Sequence, residues 1–430
     1  MAKIALSRDS PLHSLVVARN NTVFGWGVDG SVKPVGPPTA PGVTNVKQVA
    51  AGSGFSALLT FDGRLFTLGN NAHFQPGLSH HRFAAPTQVN LTALHLAGDD
   101  SRIKMVACGN LHVAALTRSG RVCTFGENQD GELGLGAASE QHYADPQCIP
   151  PQHFNDEPIA FVVAGRAKTM AVSARGNVYA WGRDGEGTLG VDDAFTGRPQ
   201  QIDRQHFDDE NVSFVALGEN HSVALTTTGS VFTWGCYAHF GRLHFQLGRG
   251  ELDMHGRNRP RKVHAPWLMG AAFAACGDDH TLVVTADGEL WACGLGQHGE
   301  LGLGDMQECA TFRRVGRAQF GDTPVAAVAA GSGQSAVVLA DRSLWIFGTF
   351  AEQTYYSPVR KLRAGAVASV SAEQEYMRQV LAWHPRSRVL ALAMGLHRRL
   401  GRDAGVFALN DISLRMIATL LSPDDFAHAL

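Results

Sequence analysis

Two short runs set a carboxylate beside an imidazole behind a glycine: Gly218-Glu-Asn-His221 and Gly277-Asp-Asp-His280. A third, Gly109-Asn-Leu-His112, carries the imidazole without the acid. Glu219, Asp278 and Asp279 can hold a basic partner by charge, and neutral imidazole both donates and accepts hydrogen bonds. The same residues also have an architectural use, with His bonding neighbouring loop backbone and the acids capping turns. Covalent chemistry finds no such footing. The 19 His include no His-x-x-x-His on a helix, so spacing assembles no metal site. Gly294-Leu-Gly-Gln-His-Gly299 fits a dinucleotide-binding pattern but leaves a hairpin strand and enters no helix. Gly52-Ser-Gly and Gly331-Ser-Gly lack the strand-to-helix setting of a nucleophilic serine. No cofactor is implied.

These runs belong to a block that repeats. Its anchor, usually Trp-Gly or Phe-Gly, recurs at Gly27, Gly69, Gly126, Gly182, Gly235, Gly294 and Gly348. Fourteen residues before the anchors stand His13, Phe55, His112, Lys168, His221, His280 and Gln334. Six before them stand Asn21, Gly63, Gly120, Gly176, Gly229, Gly288 and Arg342. Fixed spacing inside the block, with variable links between, marks one structural unit copied seven times. The segments around Val113 to Thr117 and Val122 to Phe125 are short, apolar and bounded by turn residues, as buried strands should be. Ser119-Gly120, Asp62-Gly63 and Asp287-Gly288 supply the positive φ of a tight hairpin. Arg342 meets a steric cost there, so its hairpin should be looser. Runs rich in small residues, such as Val325-Ala-Ala-Val-Ala-Ala, add one inner strand per copy, and turn-rich links such as Gly131-Glu-Leu-Gly-Leu-Gly lead to an outer one.

Such units cannot bury both faces of a sheet alone, whereas arranged radially they bury one another. The expected fold is therefore all-β, a seven-bladed β-propeller over residues 1–383 followed by a short helical tail over 384–430. The first copy is short, and Ala366 to Ala372 reads as a spare strand that completes it and closes the ring.

Composition agrees with a chain of 430 residues built as one repetitive architecture, with 48 Gly. Lys and Arg number 37 against 39 Asp and Glu, so bulk charge attracts neither nucleic acid nor anionic membrane. No apolar run approaches the roughly 18 residues of a membrane span. The start lacks the apolar stretch of a signal peptide. The seven Cys form no Cys-x-x-Cys pair, which argues against a zinc framework and for a reducing compartment, cytoplasmic or nuclear. Cys108 and Cys276 occupy equivalent strand positions and read as buried rather than reactive.

Gly-x-x-His-(Thr/Ser)-x-x-Leu, then Gly-x-Val-(Tyr/Phe)-x-Trp-Gly, then Gly-x-Leu-Gly-x-Gly together resemble the repeat of the regulator of chromosome condensation family, over about residues 1–372. That resemblance implies a propeller face that binds a small Ran-like GTPase and ejects its nucleotide, with no covalent catalysis. Acidic residues before the repeat's His and a protruding β-wedge contribute to this in the family. Here Glu219, His221, Asp278, Asp279, His280 and His112 are the matching GTPase-binding candidates. After Gly235 comes an enlarged loop, Cys236-Tyr-Ala-His-Phe-Gly-Arg-Leu-His-Phe245, whose Tyr237, Phe240, Leu243 and Phe245 are the wedge candidates. The wedge-like copy falls later in the chain than in the family pattern, and Phe55, Lys168 and Gln334 replace His. The basic stretch from Arg242 to His264 reads as a solvated loop, with phosphate binding as its alternative. The family's basic DNA-holding tail has no counterpart before the first copy, which argues against direct nucleic-acid binding.

The tail suggests a different partner. Arg388 to Leu400 is rich in helix formers, and Leu414, Ile417, Ala418 and Leu421 form one helical stripe ended by Ser422-Pro423. It serves either as a clasp across the closure seam or as a docking element. Leu409-x-Asp-x-x-Leu-x-x-Ile417 resembles the opening of an F-box, which makes Leu409, Asp411, Leu414 and Ile417 candidates for binding a ubiquitin-ligase scaffold. The readings in competition are thus a nucleotide-exchange regulator, a substrate-recognition adaptor of a ubiquitin ligase, and a purely structural scaffold.

Overall fold

The computed structural model describes residues 4–6, 14–17, 23–26, 32–34 and, with interruptions, 43–362. Within them the apolar segments fold as four-stranded antiparallel meanders, so the chain is an all-β propeller. Six of these sheets, spanning residues 46–88, 103–148, 159–201, 212–262, 271–315 and 325–362, are described with most of their side chains. In the 103–148 sheet the order from the inside outwards is Ile103–Cys108, His112–Thr117, Val122–Gly126 and Tyr143–Cys148. Ahead of them Ile4–Leu6, Ser14–Val17, Val23–Trp26 and Val32–Pro34 pair in the same order, described almost entirely in backbone.

Ile4–Leu6 lies against both Val46–Ala51 and Val325–Gly331, so the ends of the propeller meet there. This corrects one expectation. The innermost strand of the amino-terminal sheet is Ile4–Leu6, paired with Ser14–Val17, so nothing is left for Ala366 to Ala372 to complete. Those residues, and the whole 384–430 tail with Leu409, Asp411, Leu414 and Ile417, lie outside the described residues. Among the described residues there is no α-helix, only 3₁₀ turns such as Pro151–Phe154, Arg204–Phe207 and Arg317–Phe320.

The second strand of each of the six sheets is buried along its length, because both its faces meet a neighbouring blade. Each apolar cluster accordingly spans two sheets. Met170, Val178 and Ala180 pack with Val215, Phe232 and Trp234 of the next sheet, and Leu282, Val284 and Leu290 with Val337 and Phe347. Among the described residues, no apolar cluster is confined to one blade. Burial at these seams supplies the driving force, about 25 cal/mol per Å² of apolar surface.

The hairpin between second and third strands closes through a left-handed glycine. Thr117 N–H bonds Arg121 O at 2.9 Å, and Gly120 takes φ 97°. Arg342 adopts φ 64° at the equivalent place, yet the same closing bond forms, Leu339 N–H to Ser343 O at 3.0 Å. Its hairpin is no looser than the others. The strain sits in the residue and leaves the turn intact.

One cysteine pair departs from the free thiols of a reducing compartment. Cys123 and Cys148, directly opposite on neighbouring strands, are joined as a disulfide. Cys276 is buried as expected, whereas Cys108 is partly exposed; desolvation still pushes the Cys108 thiol well above its ordinary pKa, which leaves it unreactive.

Candidate functional site: the face bearing the acidic turns

The turn between first and second strands is shaped by glycine. A Cβ at Gly109 would come within 2.2 Å of His112 Cε1 and 2.4 Å of Gly165 O in the next blade. Gly218 and Gly277 meet His221 and His280 in the same way, so each imidazole is folded back over its glycine while the next blade's turn abuts it. Backbone bonds tie successive turns together, Ser53 N–H to Asn110 O at 2.9 Å and Asn110 N–H to Arg166 O at 3.2 Å. The described turns, from Gly52 to Gly331, therefore abut one another in succession.

Three of the repeat His reach into the next blade. Nε2 of His112, His221 and His280 lies 2.8 Å from the hydroxyl oxygens of Thr169, Thr281 and Ser335 respectively. Those hydroxyls donate to the carbonyls of Glu132, Gln246 and Glu300. A hydroxyl has one hydrogen, and here it is spent on the carbonyl, so the imidazole must donate through Nε2–H. Burial holds His112 neutral, its pKa pushed down to about 3. His112, His221 and His280 expose 0%, 0% and 1% of their surface. As GTPase-contacting candidates they are corrected by this burial: they bond blade to blade and offer a partner no atom.

The departures from His follow the same logic. Lys168 donates from Nζ to Glu219 O of the following blade at 3.0 Å. Phe55 offers no polar atom, and the residue one blade on is the buried Val113 in place of a hydroxyl.

The acidic candidates stand in the abutting turns. Glu219, Asp278 and Asp279 are all partly exposed, in the turns of adjacent blades. Glu219 is ion-paired with Arg166 of the preceding blade, a partner that sequence reasoning missed because it lies in a copy without an acid. The loop after the third strand leaves from this same edge. Leu295 N–H bonds Asp279 O at 2.9 Å, and a Cβ on Gly235 would lie 2.8 Å from Asn220 O. The insertion after Gly235 and the acids of Gly218–His221 and Gly277–His280 thus share one face.

Within that insertion Ala238–His239 pairs antiparallel with Arg242–Leu243 as a small hairpin separate from any blade. Leu243 falls on its second strand. Phe245 is half-buried at the base, its carbonyl accepting from Gly248 N–H at 3.0 Å as the chain turns back into the blade. Tyr237 and Phe240 lie outside the described residues. The returning chain is pinned to the next blade by a bridge between Arg249 and Thr311.

Beneath the face the Gly-Glu-Leu-Gly links serve as joints. The Glu132 carbonyl receives Trp181 Nε1–H at 2.9 Å, and Thr188 O receives Trp234 Nε1–H at 3.0 Å. Where Cys293 replaces the aromatic residue, its thiol points to Gln246 O at 3.5 Å, and the Phe312 ring lies against Gly248. Glu132 itself is 2% exposed, and burial raises its pKa to about 8. Burial raises Glu300 as well. Among the described residues no group of three or more His, Cys, Asp or Glu could hold a metal, and no helix is long and apolar enough to cross a membrane.

Radially packed antiparallel sheets, with abutting turns that carry acids on one face, define a β-propeller. The chain belongs to the RCC1-like domain family, whose model matches residues 86–356, and the regulator of chromosome condensation repeat matches residues 46–75. Relatives include the secretion-regulating guanine nucleotide exchange factor of Mus musculus, 30% identical over 315 residues, covering 68% of this chain and 64% of that protein. The ultraviolet-B receptor UVR8 of Arabidopsis thaliana is 34% identical over 227 residues, 52% of this chain and 48% of the receptor. The probable E3 ubiquitin-protein ligase HERC6 of Homo sapiens is 28% identical over 300 residues, 66% of this chain but 27% of the ligase. The matched region is thus well short of these relatives' full length. Among solved structures, human WBSCR16 superposes with TM-score 0.66 at 22% identity, covering 76% of this chain and 83% of that one. Prp20p from Saccharomyces cerevisiae superposes with TM-score 0.63 at 19% identity, covering 76% and 82%. At those identities the likeness shows the fold.

Proposed function

We propose that this chain is a seven-bladed propeller that regulates guanine-nucleotide exchange on a small Ran-like GTPase. The observation that carries the reading is the common face of Glu219, Asp278, Asp279 and the Ala238–Leu243 hairpin. On this reading the acids hold basic residues of the GTPase, and the hairpin presses apolar groups against its phosphate-binding loop so that nucleotide leaves. The kinship with an exchange factor, and with Prp20p, a protein described by its binding properties to Gsp1p and histones, supports it. The protein works in cytoplasm or nucleus, and its contribution is recognition without covalent chemistry. The test is release of fluorescent GDP from a panel of small GTPases. Acceleration on one of them, lost when Asp278→Asn and Asp279→Asn are combined with deletion of 237–245, is expected. An unchanged release rate across the panel, or acceleration that survives those changes, refutes it.

A second reading is favoured by the kinship with ubiquitin-protein ligases: a substrate-recognition propeller with residues 384–430 docking onto a ligase scaffold. Pull-down with and without 384–430 separates the two. Scaffold recovered only with the tail supports the adaptor, and tail-independent recovery refutes it.

A further inference from the structure

Three residues before each anchor glycine stands an aromatic side chain in six copies, Phe24, Phe66, Tyr179, Phe232, Trp291 and Trp345. The 103–148 blade has Cys123 instead. Directly opposite on the outer strand, the aromatic residues face Pro34, Gln88, Gln201, Lys262, Arg314 and Arg360, mostly long polar side chains. Lys262 Nζ lies 5.5 Å from the ring centroid of Phe232, which shows how such a pair holds the outer strand against the blade. Cys123 faces Cys148. Both members of one pair have therefore changed together, and changed to the two residues able to bond covalently.

We propose that Cys123 and Cys148 are a reversible thiol–disulfide site that latches the outer strand Tyr143–Cys148 to its blade. Beyond its ladder, that strand is held at its end by Ile149, which is buried and bonds through its N–H to Val122 O at 2.9 Å. Its register partners are Cys123 with Cys148, Thr124 with Gln147 and Gly126 with Tyr143, and the register shifts between Thr124 and Gly126. Like Pro86 and Pro199 in other outer strands, its Pro146 has no N–H to give, and of its six residues only Pro146 is buried. With the sulfurs apart, it keeps neither the bond nor a ring contact such as that of Lys262 on Phe232.

The site is also reachable from one side. Cys123 is 0% exposed, whereas Cys148 is partly exposed, so a small disulfide or thiol meets Cys148 first. For closure, the Cys148 thiolate attacks one sulfur of a small-molecule disulfide such as glutathione disulfide and expels one small thiolate. The Cys123 thiolate then attacks Sγ of Cys148 in the mixed disulfide and expels the second. Two protein thiols and one small disulfide become one protein disulfide and two small thiols. The two cysteine protons end on the departing sulfurs, and two electrons pass to the small disulfide. Opening is the reverse, begun by a small thiolate at Cys148.

The full chain, equilibrated in glutathione buffers from fully reduced to fully oxidised, tests this directly. Acid quenching and alkylation report the bond by peptide mass, and amide hydrogen exchange reports the strand. The Cys123–Cys148 link should form and dissolve within that range, and exchange over 143–148 should quicken at least about fivefold on reduction, as expected of a segment that frays locally. A pair that never closes in glutathione disulfide, or never opens in excess reduced glutathione, overturns the site. Exchange that is equal in the two states overturns the latch. The double variant Cys123→Tyr/Cys148→Gln copies the Tyr179–Gln201 pair and should exchange slowly at every buffer ratio. If its 143–148 segment still responds to the buffer, the latch is refuted. The wild-type titration stands whether or not that variant folds.

Discussion

Replacing Thr169 by Val tests the bonding between blades at its narrowest point. The change keeps side-chain volume and removes the hydroxyl that accepts from His112 and donates to Glu132 O. The carbonyl loses little, because Trp181 Nε1–H still reaches it at 2.9 Å. The imidazole loses its acceptor among the described residues at a position 0% exposed, and a buried unsatisfied donor costs about 1–3 kcal/mol. Thr169→Val should therefore destabilise by about 2 kcal/mol. His112→Phe made in addition removes the stranded donor and copies the Phe55–Val113 arrangement of the preceding seam. The double variant should recover about 1 kcal/mol relative to Thr169→Val alone, giving a coupling well outside additivity. Urea unfolding followed by tryptophan fluorescence measures it, with amide exchange over 168–173 as the local readout if unfolding has more than one step. A neutral Thr169→Val, or a double variant as unstable as the sum of the singles, would refute the relay.

Other consequences are equally concrete. Burial raises Glu132 from an ordinary 4.5 to about 8, so the folded state binds more protons than the unfolded one across that window. Its contribution is full below the unfolded value and is lost as pH climbs towards 8; Glu132→Gln should flatten that decline, as a thermal-shift series over pH would show. Gly126 takes φ 109°, and a Cβ there would lie 2.5 Å from Leu111 O, so Gly126→Ala should cost at least about 2 kcal/mol by the same unfolding assay. Arg342→Gly relieves a left-handed backbone at some cost in unfolded-chain entropy and should be neutral to about 1 kcal/mol stabilising; a loss beyond that range contradicts the strain argument. Arg166→Ala frees the Glu219 carboxylate, so under the exchange-factor reading it should speed GDP release while changing stability by under about 0.5 kcal/mol.

Much of this was legible in the sequence, because the repeat leaves the chain little choice. Constant spacing from Gly109 to His112 to Gly126 fixed strand lengths and turn positions, and the alternation of small and apolar residues said which strand lies inside. The role of the repeat His was not legible from one copy. It becomes so when neighbouring copies are read together: the residue after the His position is Ser14, Ser56, Thr169, Ser222, Thr281 or Ser335 wherever the previous copy carries a hydrogen-bonding side chain at that position, and Val113 where that copy has Phe55. Partners that cross a seam are invisible to any reading confined to one block, which is also why Arg166 was missed beside Glu219. The closing strand was misassigned for a related reason. Ile4–Leu6 is too short to stand out as a strand by pattern, and its pairing with Ser14–Val17 identifies it.

The central functional claim is that one face, bearing the acidic turns and the inserted hairpin, does the recognising. Amide exchange on the propeller, free and saturated with a nucleotide-free small GTPase, addresses it most directly. Slowed exchange over 219–220, 278–279 and 236–245, with 151–154, 204–207 and 317–320 on the opposite face unchanged, is the expected footprint. Protection confined to those 3₁₀ turns would contradict the account.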